Sequence, residues 1–238
     1  MAILKGGLFE DVNGKLGNLV VRKVKGKSVV AVRPLTYKKT KSRKAILVRS
    51  RFTIAVEFSK FINSIPILKS AWANADIKGS SAFNMIEKYN LRLVNDNAPS
   101  LQNIITPPLS INKNICIYPL DELIFNGDTI TINFKDVNGS ALSAGTGKYT
   151  FVFVLLFFEP KRKEERYFVM DEIISPAFNI TSVGKGITIP INPIIRNKIS
   201  HYTKLIIYSA SIMPGTAKIK YYSSITFSKE FDLTSSFS

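Results

Sequence analysis

Sulfur and imidazole are almost missing from this chain of 238 residues, which holds one cysteine, Cys116, and one histidine, His201. A lone thiol closes no intramolecular disulfide, and metal centres built on several thiolates or imidazoles are excluded with it. No metal or other cofactor is expected. Long apolar runs are scarce as well. The longest, residues 151–158, has eight residues, against the roughly 20 a membrane-crossing helix needs, so no membrane span is expected. The opening Met1-Ala-Ile-Leu-Lys-Gly-Gly has no apolar core behind a basic flank. It does not read as a secretory signal, and the expected location is the cytoplasm or a particle assembled there.

Acidic residues are the most unevenly missing. Residues 1–51 hold 14 Lys and Arg but only Glu10 and Asp11, which accounts for +12 of the net charge of +16, whereas residues 101–238 carry only +3. From Arg22 to Arg51 there are twelve cations and no carboxylate. Surfaces designed only for solubility interleave both signs.

What is present suffices for a packed core. Hydrophobic side chains make up 45% of the sequence, and a chain this long buries about 70% of the surface it exposes when unfolded. Five of the thirteen glycines fall in the first 26 residues. Asn13-Gly14 has the chemistry of a type I′ turn, which pairs residues 8–12 with 19–24, and Lys25-Gly26 makes the next turn. A three-stranded meander ending at Pro34 follows, its second turn presenting Arg22, Lys23, Lys25 and Lys27. Ser42 then caps a helix whose apolar positions Leu47, Ile54, Phe58, Phe61, Ile62 and Ile65 lie on one face. Pro66 ends or kinks it. A short continuation carries Leu68, Ala71 and Trp72, and Ser80 or Ser81 caps another helix with Ala82, Phe83, Ile86, Tyr89 and Leu93 inward.

After residue 100 the texture turns to short β runs at 114–118, 129–134, 149–158, 166–170, 186–189, 204–212 and 217–227, divided by Asn126-Gly127, Asn138-Gly139 and Pro214-Gly215. The expected architecture is α+β. A small antiparallel meander with helices (1–100) precedes an antiparallel β-sandwich, immunoglobulin-like or similar (101–238). Residues 151–158 are apolar on both faces, so they form a central strand covered on both sides or a strand completed by another subunit, the first being favoured. Glu159-Pro-Lys-Arg-Lys163 behind them breaks and charges an aggregation-prone segment.

The candidate binding residues are Arg22, Lys23, Lys25, Lys27, Lys38, Lys39, Lys41, Arg43, Lys44, Arg49 and Arg51. A charge run is often only a solvated face. Here Arg43 and Lys44 fall in the opening turn of a helix, where unpaired backbone N–H groups already carry about half a positive charge. Phosphate oxygens relieve that repulsion, and the expectation is a sequence-tolerant contact with a DNA or RNA backbone. Tyr37 stacks on a base or packs. No zinc-finger spacing, RNP-type aromatic signature or basic zipper is present.

Catalytic patterns fail on inspection. His201 has neither a Gly-x-Ser-x-Gly elbow nor an acid near it in sequence. Gly145-Thr-Gly-Lys148 has Leu142 where a phosphate loop needs glycine and Tyr149 where it needs Ser or Thr, so it reads as a strand-entering turn. Gly184-Lys-Gly186 reads as a loop. Asp121/Glu122, Glu164/Glu165 and Asp171/Glu172 are sequence neighbours, which in strands face opposite ways. The chain is not expected to be an enzyme.

The stretch Gly14-Lys-Leu-Gly-Asn-Leu-Val20, with Lys25-Gly26, Val32-Arg33-x-Leu-Thr36, Arg51-Phe52, Phe58 and Ser81-Ala-Phe-Asn84, resembles an uncharacterised family of small proteins common in Bacteroidetes. It spans residues 5–90. The resemblance implies a bacterial or phage-related origin and a two-part layout with a variable β-rich second half, and it supplies no catalytic residues. Val24 and Lys41-Ser-Arg-Lys44 depart from the family pattern. The leading expectation is a self-assembling, non-enzymatic structural protein, a homo-oligomer that holds nucleic acid through its basic first half. The alternatives are a protein-only subunit of a phage particle or filament, and a monomeric β-sandwich module for adhesion or ligand binding.

Overall fold

The computed structural model describes residues 2–4, 14–24, 27–33, 40–75, 81–108, 120–134, 148–178, 186–214, 219–223 and 226–234. The chain divides into two compact units, Met1–Ile46 and Leu47–Ser238. The first contains an antiparallel sheet in the order β1 (Ala2–Leu4), β4 (Lys27–Val32), β3 (Leu19–Val24), β2 (Gly14–Leu16). The meander is present, with a different first hairpin. Leu16 pairs with Leu19 across Gly17 and Asn18, and Gly17 takes φ 55° at the loop position where a two-residue II′ turn calls for glycine. The Arg33 N–H closes on the Asn18 carbonyl at 2.7 Å. Residues 8–12, expected as the pairing strand, lie outside the described residues. Val24 pairs with Lys27, the register of a two-residue connection at 25–26.

Ser42 begins α1 (Arg43–Ser64), its Oγ accepting from the Ala45 N–H at 3.3 Å. Pro66 stops that helix and opens α2 (Pro66–Ala73) as its first residue, where a missing N–H costs nothing. Ser81 caps α3 (Ala82–Asn90), accepting from the Asn84 N–H at 3.2 Å. Phe58, Ile62, Ile65, Leu68, Trp72 and Ile86 form the buried face of these helices.

The remaining strands are antiparallel, as expected. A five-stranded sheet contains β8 (Phe168–Ile174), β7 (Thr150–Pro160) and β10 (Tyr202–Pro214), with β11 (Ile219–Tyr222) and β12 (Phe227–Asp232) both on the far side of β10. A three-stranded sheet runs β5 (Leu120–Phe125), β6 (Thr129–Phe134), β9 (Gly186–Pro190). Alternation along β7 sorts its side chains between two cores. Val152, Val154 and Leu156 pack on the helices, whereas Phe151, Phe153, Leu155 and Phe157 pack on the three-stranded sheet and on α4 (Pro193–His201). In β10, Ile206 and Tyr208 face the helices and Leu205 and Ile207 face the other core. The apolar run 151–158 is thus a central strand covered on both sides, each fully buried side chain contributing about 1.5–3 kcal/mol. The helices of the first hundred residues are one of its covers, within the unit Leu47–Ser238.

Three elements differ from expectation. The single strand expected at 217–227 is not found: β11 occupies Ile219–Tyr222 and β12 starts only at Phe227, and the two pair with different halves of β10. β5 and α4 were not anticipated, although Asn192 caps α4 by accepting from the Ile195 N–H at 2.8 Å and Pro193 occupies its first turn. The expected strand at 114–118, with Cys116, lies outside the described residues. At Gly186 an added Cβ would come within 2.4 Å of the Ile132 carbonyl oxygen, so the close β6–β9 pairing requires glycine there. Among the described residues no helix is long and apolar enough to cross a membrane.

Candidate functional site

The candidate cations divide between the two units. Arg22 and Lys23 lie on β3 with exposed side chains, and the backbone of Lys27 opens β4. Lys25, Lys38 and Lys39, with Tyr37, fall outside the described residues. Lys41, Arg43, Lys44, Arg49 and Arg51 are exposed at and within the first turns of α1. That helix has no acid in its first turn, so nothing local offsets the repulsion between its N-terminal dipole and Arg43 or Lys44. Among the described residues no carboxylate pairs with Arg22, Lys41, Arg43 or Lys44. Lys23 and Arg49 already interact with neighbouring groups. Arg51 is neutralised: its Nε donates to Asp96 Oδ1 at 2.7 Å. Ile46, Val48 and Phe52 are exposed along the same helical turns.

A second feature lies entirely within the unit Leu47–Ser238. Residues 91–105 pack against the helix-facing side of the five-stranded sheet, and 92–102 line, with α1, β7, β10 and β12, a groove of about 790 Å³. This segment is built on Asn90, which is fully buried. Asn90 Oδ1 accepts from the Ile104 N–H at 2.8 Å and from Asn103 Nδ2 at 2.9 Å, and Asn90 Nδ2 donates to the Ile86 and Ile104 carbonyls. The Ser100 carbonyl accepts from the Tyr208 hydroxyl at 2.7 Å, and the Leu101 carbonyl from Ser228 Oγ at 2.6 Å. Trp72 Nε1 donates to the Ile105 carbonyl at 2.8 Å.

One wall of the groove is Glu159, the one described residue other than glycine with a left-handed backbone, at φ 58°. That conformation costs a side-chain-bearing residue about 1–2 kcal/mol. Its surroundings impose it. The Glu159 N–H donates to the Tyr167 carbonyl, its carbonyl accepts from Thr203 Oγ1, and its carboxylate meets Lys204 Nζ at 3.1 Å. Glu230 approaches the same ammonium at 3.8 Å. The hydrogen bond to Glu159 and the nearby carboxylates raise the pKa of Lys204.

His201, at the C-terminus of α4, is half-exposed and its Nδ1 lies 2.6 Å from Glu165 Oε1. Asp171 is held by Lys198 of α4. A bulge at Asp121 leaves both Asp121 and Glu122 exposed, a departure from the simple strand alternation expected of that pair. Gly186 leads into β9, and residues 145–147 and 184–185 lie outside the described residues. Among the described residues no group of three or more His, Cys, Asp or Glu side chains is placed to hold a metal ion.

No protein-family model, curated protein or solved structure matches this chain. The groove was missed in the sequence because its walls come from residues far apart in the chain. The only local sign was the charged break after residue 158.

Proposed function

We propose that the chain is a non-enzymatic structural protein that self-associates and lays its basic N-terminal region, residues 22–51, against a nucleic-acid backbone. The observation that carries this reading is the set of exposed cations Lys41, Arg43 and Lys44 at the head of α1, which meet no carboxylate among the described residues, in a stretch of sequence with twelve basic groups and no acid. Such groups stand ready to displace condensed counterions from a phosphodiester chain. They carry no base-reading geometry, so binding is sequence-tolerant and steeply salt-dependent. Arg51, already paired with Asp96, contributes least.

Fluorescence anisotropy with duplex and single-stranded DNA and RNA of mixed sequence, over a range of salt, tests the contact. Absence of salt-sensitive binding to all four refutes it. Light scattering before and after nuclease treatment tests the assembly, and large particles that vanish with nuclease are the expected result. Particles that survive nuclease support instead a protein-only assembly subunit. One observation favours that second reading. Leu16, Leu19 and Val32 stand opposite one another across β2, β3 and β4, and all three are exposed, an apolar row of the kind that marks a contact between subunits.

A further inference from the structure

We propose that the groove under residues 91–105 is a second binding site, which takes only Arg51 from the basic segment, and that its ligand is an uncharged saccharide. Its volume of about 790 Å³ falls inside the roughly 300–1,000 Å³ of small-molecule sites. The choice of ligand class follows from the charges. Three cations line the groove, Arg51, Arg92 and Lys204, and three carboxylates, Asp96, Glu159 and Glu230. Five of these six are tied to one another, Arg51 to Asp96 at 2.7 Å and Lys204 to Glu159 and Glu230 at 3.1 and 3.8 Å. The formal charge of the lining is zero, so the lining itself supplies no excess of positive charge to concentrate a phosphate or a polyanion.

An apolar ligand fits no better, since it would strip water from ion pairs without replacing their hydrogen bonds. Hydroxyl groups replace water without that loss, because each donates and accepts. The groove offers both roles on planar groups: the carboxylate oxygens accept, the Arg92 guanidinium donates, and the side-chain amides of Asn95, Asn97 and Gln102 do both. Tyr167, a residue 42% exposed, adds an apolar plate with a polar tip on which a sugar ring can lie.

Pre-organisation supports a built site. The segment over the groove is pinned by Asn90, Tyr208 and Ser228 from beneath and by Ser50, whose Oγ donates to the Asp96 carbonyl at 2.9 Å. Glu159 is held in a strained backbone state beside it. Strain of this kind persists where several contacts over-determine a residue, and it gathers at ligand sites. A rigid polar surface loses little freedom on binding, which a flexible hydroxyl-rich ligand needs from its receptor.

The test is an amide NMR titration of the full chain with cellohexaose, maltohexaose, xylohexaose, mannohexaose and chitohexaose, each taken to about 10 mM, well above the weak Kd of about 1 mM for a few kcal/mol of binding. At least one is expected to shift the amides of residues 91–102 and Tyr167, with a Kd that barely changes as salt is raised. Tyr167→Ala and Arg92→Ala, both at exposed side chains, are expected to weaken it about tenfold, roughly 1.4 kcal/mol, without altering the fold. Lys41→Gln is expected to leave it unchanged. The proposal is overturned if none of the five shifts those amides, if the shifts map elsewhere, or if both variants bind as the parent does. It is equally overturned if only a sulfated saccharide binds and salt abolishes that binding, since the groove would then be reading charge.

Discussion

Replacing Lys41, Arg43 and Lys44 together by glutamine isolates the charge contribution of the α1 head from the fold. All three side chains are exposed and make no ion pair among the described residues. If each meets one phosphate of a DNA duplex, their loss lowers the slope of log K against log salt by about 2.7, from about 0.9 per contact. Between about 50 and about 200 mM salt the parent should therefore lose affinity about 40-fold more steeply than the variant. Stability should move the other way. Cations in the first turn of a helix cost about 0.3–1 kcal/mol each, so removing Arg43 and Lys44 is expected to raise Tm by a few degrees, at about 2–4 °C per kcal/mol for a chain of this size. Anisotropy at several salt concentrations gives the slope and a thermal melt gives the second number. An unchanged slope refutes the phosphate contact. A Tm lowered by more than about 5 °C shows that the segment supports the fold instead.

Three further outcomes follow from the packing and the titrating groups. Phe153→Ala, at a fully buried position between β7 and the three-stranded sheet, is expected to cost about 3–5 kcal/mol in urea unfolding, and a loss under about 1 kcal/mol would mean the two sheets do not pack as described. Glu159→Gly and Glu159→Ala both remove the carboxylate, but only glycine accepts φ 58° freely, so the glycine variant should be the more stable by about 1 kcal/mol; equal stabilities would remove the strain argument. Burial holds the Tyr208 phenol well above its ordinary value of 10.0. Its contribution is then fully present below about pH 10 and is lost as the pH rises, because the unfolded chain ionises first. The phenolate absorbance that Tyr208→Phe abolishes should appear only with loss of near-UV circular dichroism. Its appearance in the folded protein refutes the assignment.

Much of the fold could be read because its signals are local. Residues 129–134 alternate cleanly and form β6, and 151–158 are apolar at both parities, which only a doubly covered strand tolerates. Ser42, Pro66 and Ser81 mark helix ends by chemistry that acts within one turn. The misread places are those where two local signals compete or where tertiary pairing decides. Asn13-Gly14 and Gly17-Asn18 both have the chemistry of a hairpin turn. Pairing of Leu16 with Leu19 selects the second. Residues 217–227 have strand composition throughout, yet β10 is long enough, at thirteen residues, to pair with two short strands in succession. α4 carries its Asn-Pro start signal, but buries only Ile195 and Ile199, too few apolar positions to show helical spacing.

The two candidate sites were legible to different degrees for one physical reason. A cluster of like charges is a property of composition, so the deficit of acids before residue 51 announces itself, whereas neutralisation is a property of the fold. Arg51 belongs to that cluster in sequence, but Asp96, 45 residues away, takes its charge into the groove. Glu159, read from sequence as a charge that guards a sticky strand, is bound to Lys204 and Thr203 across the β7–β10 pairing and forced into a backbone state that no local glycine or asparagine signals. The same ion pairing that hid the groove from sequence also determines how it must behave. Five of its six charges are already spent on one another, so binding there should tolerate salt, while binding at the head of α1 should not. A ligand whose affinity survives high salt therefore belongs to the groove, and one whose affinity collapses belongs to the helix.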